Sequence, residues 1–378
     1  MKGPLITLVL LLIVNVAKAQ LTSLQNINAW AYQLQNVTPT AIAPDNSFQL
    51  FVTDYSADGS GAGAYTYQQV QTMKTGGKKV IAYISIGEAE SYRDYWQPAW
   101  ENTPPAWLGP ENPDWAGNYK VKFWYPQWKN IIYTYIDTIL AKGYDGIYMD
   151  IIDAYYYWQE ENIQEPNADT LMIDFIGDIR HHIDSALGNG AFVLIPQNAE
   201  DIIEAPNVTP ALRDKYFNCI NAIGVEDVFF PGNNDMNNAH LPDAYRIGLL
   251  NEFKNRGKRV FSIEYIDQPA KLTQYVADAQ TNQYVPYACY RPLDMICTQL
   301  PLGVNEVELP KPQVYAYGNT LTMILPYLAD IKVVDMQGRV VAQANNTGYL
   351  QQGNLVSGLY LIKIAYQAKE LVFKQIVQ

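Results

Sequence analysis

Histidine is scarce in this chain: His181, His182 and His240 are the only three in 378 residues. Nothing in the sequence has metal-ligand spacing, so neither a metal nor another cofactor is expected. The same scarcity weakens Ser-His-Asp and metal-hydrolase readings. No G-x-S-x-G elbow occurs, which disfavours an α/β-hydrolase. Neither a P-loop nor a G-x-G-x-x-G follows a strand, and Gly59–Gly63 reads only as a loop. Cysteine is almost as rare. Cys289 and Cys297 are near enough in sequence to bridge, which would leave Cys219 over as a small buried residue in a helix.

Positive charge is also short. Lys and Arg number 26 against 38 Asp and Glu, for a net charge of −12. Such a chain is not expected to bind nucleic acid or anionic lipid. It would tolerate a cationic substrate, although ordinary solubility also explains the charge. Only the N-terminus carries a long apolar run. Lys2 precedes an apolar stretch from Leu5 to Val16, and Ala17-Lys18-Ala19 forms an A-x-A cleavage site. Residues 1–19 are read as a signal peptide, too short and wrongly flanked for a membrane span. No transmembrane anchor is expected, and the location is secreted or cell-surface.

What the sequence does contain is a repeated layout of short apolar strands that end in a carboxylate. VIAYISIGEAE (Val80–Glu90), GIYMDIID (Gly146–Asp153), AIGVEDVFF (Ala222–Phe230) and VFSIEYID (Val260–Asp267) are the clearest. Runs rich in Val, Ile, Tyr and Phe suit strands buried on both faces. Charge is costly inside such strands, so carboxylates at several strand ends point to one shared site. Eight strand-then-helix units between about residues 28 and 300 predict an α/β fold, a (β/α)8 TIM barrel whose chemistry sits at the C-terminal rim. A long aromatic-rich loop from Tyr92 to Tyr125 interrupts them and carries Trp96, Trp100, Trp107, Trp115 and Trp124. The domain plan is then a signal peptide (1–19), a catalytic barrel (20–303), a linker (304–309) and a small all-β, sandwich-like domain (310–378). ADIKVVDMQGRVV (Ala329–Val341) reads as strand, turn and strand about Gln337-Gly338.

Glycoside hydrolysis needs two carboxyl groups flanking the scissile bond, one protonating the leaving oxygen and the other acting as nucleophile or activating water. Asp150 and Glu226 are the expected catalytic pair. Asp227 is adjacent to Glu226, and alternation lets only one of the two face the site. Glu264 is the main rival for the second catalytic role. Asp54, Tyr83, Glu88, Tyr148, Trp124, Asp153, Asn198 and Glu264 are candidate substrate-binding residues. Trp96, Glu90, Glu200 and Asp267 stand among further candidates. Clustered acids raise some carboxyl pKa values, and could also hold the ammonium groups of an amino sugar. Flat Tyr and Trp faces suit sugar rings, although with 29 Tyr and 8 Trp many aromatics must simply pack.

The segments IAYISIGEAESYRDYW, WLGPENPDWAGNYKVKFWYPQW and GYDGIYMDIID resemble glycoside hydrolase family 114, the endo-α-1,4-polygalactosaminidase family, and most of all its bacterial and archaeal extracellular branch. The resemblance runs from about Ala29 to Tyr290. It implies a TIM barrel that cleaves internal α-1,4 bonds in galactosamine-rich polysaccharide. By that resemblance the Asp of the D-G-x-x-x-D pattern is Asp150, the strand-six acid is Glu226, and the Glu264-Tyr265 element binds substrate. The tail, with IKVVDMQGRVV, the L-x-x-G-x-Y-x-x-K core from Leu355 to Lys363 and Lys374, is similar to the type IX secretion sorting domain of Bacteroidetes. That implies the type IX machinery as a partner, with a carbohydrate-binding accessory domain as the other reading of the tail. For the whole chain, the alternatives are a glycosidase acting on another α-linked glycan and a non-catalytic surface glycan-binding protein on the same barrel.

Overall fold

The computed structural model describes residues 22–187, 191–297, 312–366 and 369–377. The expected signal peptide (1–19) and linker (304–309) lie outside them. The chain divides into two compact units, one through residue 302 and one from residue 303.

In the first unit the helices are α1 (Pro39–Ile42), α2 (Tyr67–Met73), α3 (Pro126–Ala141) and α4 (Ala154–Tyr156), then α5 (Ala168–Leu187), α6 (Pro210–Cys219), α7 (Ala244–Asn255) and α8 (Pro269–Asn282). Local sequence sets their starts. Proline opens α1, α3, α6 and α8, where its missing N–H leaves no intrahelical bond unmade. Thr66 and Gln69 form a reciprocal capping box at α2, and Asp243 accepts from the Tyr245 and Arg246 amides at α7.

Strands β1 (Trp30–Tyr32), β2 (Leu50–Asp54) and β3 (Lys79–Ser85) come first. Three short antiparallel strands follow, β4 (Glu88–Glu90), β5 (Leu108–Glu111) and β6 (Asn118–Val121). Then come β7 (Gly146–Asp150), β8 (Val193–Pro196), β9 (Ala222–Glu226), β10 (Arg259–Glu264) and β11 (Val285–Ala288). Strands β1, β2, β3, β7 and β8 make one parallel sheet in that order, and β9, β10 and β11 make a second. A single parallel bridge between Gln197 and Gly224 joins the two sheets. The indole N–H of Trp30 on β1 donates to the Val285 carbonyl on β11 at 3.0 Å, linking first strand to last. This is a mixed α/β unit with the expected alternation of strand and helix.

Aromatic rings fill the space between the parallel strands. Trp30 contacts Tyr32, Tyr148, Phe261 and Tyr287, and Tyr32 contacts Tyr148 at 5.2 Å between centroids. Gly224 lies directly against this cluster. A Cβ there would sit 1.9 Å from the Tyr148 hydroxyl oxygen, so the close approach of β9 to the Tyr148 ring requires glycine.

The aromatic loop is not structureless. It supplies β5 and β6, which form a small antiparallel sheet with β4, and an aromatic ladder runs from Trp96 through Trp100 and Trp107 to Trp128 of α3. Trp115 alone of its tryptophans is well exposed, at 62%. Sequence periodicity does not show these strands because each has only three or four residues and the ladder fixes them, not their own propensity.

The second unit is all-β. Strands β12 (Gln313–Tyr317), β13 (Thr320–Asp335), β14 (Val340–Gln352), β15 (Gly358–Tyr366) and β16 (Lys369–Val377) form one antiparallel sheet. The long β13 pairs with β12 through its first half and with β15 through its second. Register shifts against β14 bend it, so both halves enclose one core of Leu321, Met323, Ile331, Val333, Ile362 and Ile364. Gly338 in the expected turn has φ +79°, the left-handed geometry that glycine allows.

Candidate functional site

Alternation along the strands decides which carboxylates meet. On β7, Tyr148 packs inward on Trp30 and Tyr32, so Asp150, two residues on, faces the same way. On β9, Gly224 faces Tyr148, and Glu226 follows it on that face. A left-handed residue follows each strand, Ile151 at φ +58° and Asp227 at φ +55°. For β-branched Ile151 this conformation is sterically costly and marks a strained turn directly after Asp150.

Asp150 accepts the Tyr83 hydroxyl at 2.6 Å on one oxygen and the Ile151 amide at 2.8 Å on the other. Its carboxyl is pushed up to about 7, first by burial and next by the negative charge of Glu226. Burial and the negative charges of both Asp150 and Glu226 raise the hydroxyls of Tyr32 and Tyr148, so both acids lie near these two rings. Glu226 is met by three donors. Gln197 Nε2 lies 2.6 Å and Asn198 Nδ2 2.9 Å from one oxygen, and the Tyr265 hydroxyl donates to the other. Asn198 also accepts from the Glu226 amide at 3.0 Å, so backbone and side chain are held together. Behind them Arg246 binds the Glu226 carbonyl at 2.9 Å and pairs with buried Glu200.

The other expected residues divide. Asp153 keeps solvent contact, its carboxyl raised by its surroundings against the pull of Lys120, with Asp201 and Glu226 near enough to add to the rise. Glu88 is buried: one oxygen meets Asn112 Nδ2 at 2.8 Å and Lys120 Nζ at 3.7 Å, and the other has no hydrogen-bond partner among the described residues. Tyr83 is half-buried beside Asp150, whereas Tyr148 is fully buried and forms the floor, with no face open for a sugar. Trp124 packs edge-on against Trp158 and Phe123. Trp96 belongs to the tryptophan ladder, and Asp267 bonds Asn237.

Besides Tyr148, two further expectations are corrected. Asp54 has both oxygens on the Arg93 guanidinium, at 2.9 and 2.8 Å, and Arg93 also binds Glu90 at 2.7 Å. This is a buried ion triad, not an open sugar ligand. Glu264 shares the outward face of β10 with Ser262, which bonds Tyr275 of α8, while Phe261 packs inward on Trp30. It is 0% exposed and accepts the Phe229 and Phe230 amides at 2.8 and 3.2 Å. It shapes the turn after β9, and its neighbour Tyr265 is the one that reaches Glu226. Burial raises the Glu264 carboxyl to about 8 from 4.5. Its folded form therefore keeps a proton that the unfolded chain releases, and this contribution to stability is lost as pH rises from 4.5 through about 8. Glu264→Gln is expected to flatten part of that slope in urea titrations across this range while leaving any turnover intact.

Sequence reasoning missed Gln197 and Arg246, which hold Glu226, and reached Tyr265 only through the family resemblance, as part of a substrate-binding element. The Q-N pair closing the fifth strand and the Tyr after Glu264 were the available signals. A cavity of about 500 Å³ opens elsewhere, between the loop after β2 and α3, lined by Tyr55, Tyr95, Ile131, Thr134 and Tyr135. It includes neither Asp150 nor Glu226. Among the described residues no group of three or more His, Cys, Asp or Glu is arranged to hold a metal.

The model of glycoside-hydrolase family GH114 matches residues 14–301, and that of the secretion system C-terminal sorting domain matches residues 319–378. An uncharacterized protein of Methanocaldococcus jannaschii is 39% identical over 265 residues, covering 68% of this chain and 74% of that one. An uncharacterized protein of Thermotoga maritima is 33% identical over 290 residues, covering 75% and 86%. In fold, the chain is similar to Aspergillus fumigatus Ega3, solved in complex with galactosamine, with a TM-score of 0.53 at 16% identity over 73% of this chain and 98% of that one. It is also similar to the glycoside hydrolase domain of PelA from Pseudomonas aeruginosa, with a TM-score of 0.52 at 18% identity, covering 71% and 97%.

Proposed function

This chain belongs to glycoside-hydrolase family GH114, and from that premise we propose that it is an endo-acting glycosidase for α-1,4-linked, galactosamine-containing polysaccharide, with Asp150 and Glu226 as its catalytic carboxyls. The observation that carries the proposal is the coupled pair itself. The two acids stand on the inward face at the ends of β7 and β9, and burial with the negative charge of Glu226 keeps a proton on Asp150 up to about pH 7. A glycosidase needs that state, one carboxylic acid beside one carboxylate. The hydrogen bonds around Glu226 suit an acceptor-only carboxylate, and the resting proton sits on Asp150.

The substrate reading rests on the family, on the galactosamine bound by Ega3, and on the acid-rich recess of Asp150, Asp153, Asp201 and Glu226, which suits ammonium groups. Asn198, Tyr83 and Asp153 are proposed to line the sugar subsites, whereas Glu88, only 1% exposed, would support them from behind. We read the eight parallel strands as one closed (β/α)8 barrel, supported by the Gln197–Gly224 bridge and the Trp30–Val285 bond across its two seams. The domain plan given by the sequence is retained: signal peptide 1–19, barrel 20–303 and sorting domain 310–378, which would hand the protein to the type IX machinery for export to the surface or the medium.

The test is the pH dependence of kcat/KM on partly deacetylated α-1,4-galactosaminan. As pH rises through about 7 Asp150 loses its proton, so the rate should fall about tenfold for each further unit. A rate that stays level from pH 6 to 9 contradicts the assignment.

A further inference from the structure

We propose that Arg291, held by the Cys289–Cys297 disulfide, is a positioning residue for the Tyr265–Glu226 pair, a proposal that rests on the catalytic reading of Glu226. Arg291 lies in the loop between the bridged cysteines. Its guanidinium stands 4.0 Å over the Tyr265 ring, and one nitrogen meets Asp227 at 2.9 Å. It thus grips the residue that donates to Glu226 and the residue that follows Glu226 in the chain. A cation stacked on a tyrosine face and paired with a carboxylate fixes both through a planar, rigid fork. Tyr265 in turn fixes one Glu226 oxygen, while Gln197 and Asn198 fix the other.

The loop itself is held on several sides. The Leu293 carbonyl accepts from the Leu34 and Gln35 amides at 2.8 and 3.2 Å, and Gln33 Nε2 donates to the Asp294 carbonyl at 3.1 Å. The Cys297 amide donates to the Tyr287 hydroxyl at 3.0 Å. Leu293 has φ +49°, a conformation that persists in leucine only where its surroundings impose it. The disulfide closes that loop, so Arg291 enters the site from a preset anchor. An oxidising compartment, the destination implied by the sorting domain, is where such a clamp persists.

The experiment uses the full chain and the variants Arg291→Gln, Arg291→Lys, Tyr265→Phe and Cys289→Ser with Cys297→Ser. Hydrogen exchange is followed in peptides spanning 224–230 and 262–268, with α5 as internal control. Arg291→Gln and the paired Ser variant should speed exchange in both site peptides about tenfold and leave α5 unchanged. On the polymer, Arg291→Gln should lower kcat about tenfold with KM within about twofold, and Arg291→Lys should restore part of it. Adding Arg291→Gln to Tyr265→Phe should cause little further loss, since both act through one contact. Unchanged exchange in the site peptides, or losses that add, overturns the proposal. If the wild type cleaves no galactosaminan while exchange still responds to Arg291, the brace stands and the galactosaminan reading of the site falls.

Discussion

Replacing Glu226 with Gln, or Asp150 with Asn, is expected to lower polymer hydrolysis about 10²–10⁴-fold with the fold intact. Each substitution is nearly isosteric and keeps an acceptor for the existing donors. After Glu226→Gln the side-chain carbonyl can still accept from Asn198 or Tyr265. After Asp150→Asn it can still accept from Tyr83 or the Ile151 amide. What each removes is a group able to exchange a proton or attack. Glu226→Gln also removes the charge that raises Asp150, so the carboxyl of Asp150 should titrate lower in that variant. The double variant should be little worse than the more damaging single one, because the two carboxyls act as a unit. Initial rates of reducing-end release, with circular dichroism to verify folding, check this. A single variant retaining more than half the wild-type rate would remove that residue from the pair.

Arg93→Ala is expected to lower the unfolding free energy by about 3–5 kcal/mol, the largest stability effect foreseen for one substitution in this domain. The Arg93 side chain is 1% exposed, as is that of Glu90, and Asp54 is 11% exposed. Removing the guanidinium leaves two carboxylates facing each other away from water. It also empties the space between the Tyr55, Tyr92 and Tyr135 rings, which flank the guanidinium at 5.0–5.7 Å. Combining Arg93→Ala with Asp54→Asn and Glu90→Gln should recover a good part of the loss, because the stranded charges go with their partner. Urea unfolding of the wild type, the Arg93→Ala single variant, the Asp54→Asn/Glu90→Gln pair and the triple variant separates these contributions. Were Asp54 a sugar ligand instead, Asp54→Asn would raise KM and leave Arg93 packing and stability unchanged.

Strand positions and the helix starts were legible in the sequence because proline, capping residues and apolar runs act locally. The carboxylate at each strand end was equally visible, but not which way each one points. Asp150 and Glu226 face the recess because Tyr148 and Gly224 precede them by two residues on the inward face. Glu264 looks the same in sequence, yet its partner on that face is Ser262, which turns outward to α8. Only the packing of Phe261 on Trp30 fixes that phase. Asp54 escapes a sequence reading for another reason: its partner Arg93 lies 39 residues away, in a loop whose periodicity predicts no structure. Arg291 and Arg246 reach the site from other segments, through contacts with Tyr265, Asp227 and the Glu226 carbonyl that no periodicity encodes.

The central claim is tested most directly by incubating the mature protein with fully and partly deacetylated α-1,4-galactosaminan and resolving the products by mass spectrometry. The account predicts a ladder of oligosaccharides from internal cleavage by the wild type, absent with Asp150→Asn and with Glu226→Gln. Binding without cleavage by folded wild type would contradict it and make the chain a glycan-binding scaffold. Neither binding nor cleavage would remove galactosaminan as the substrate.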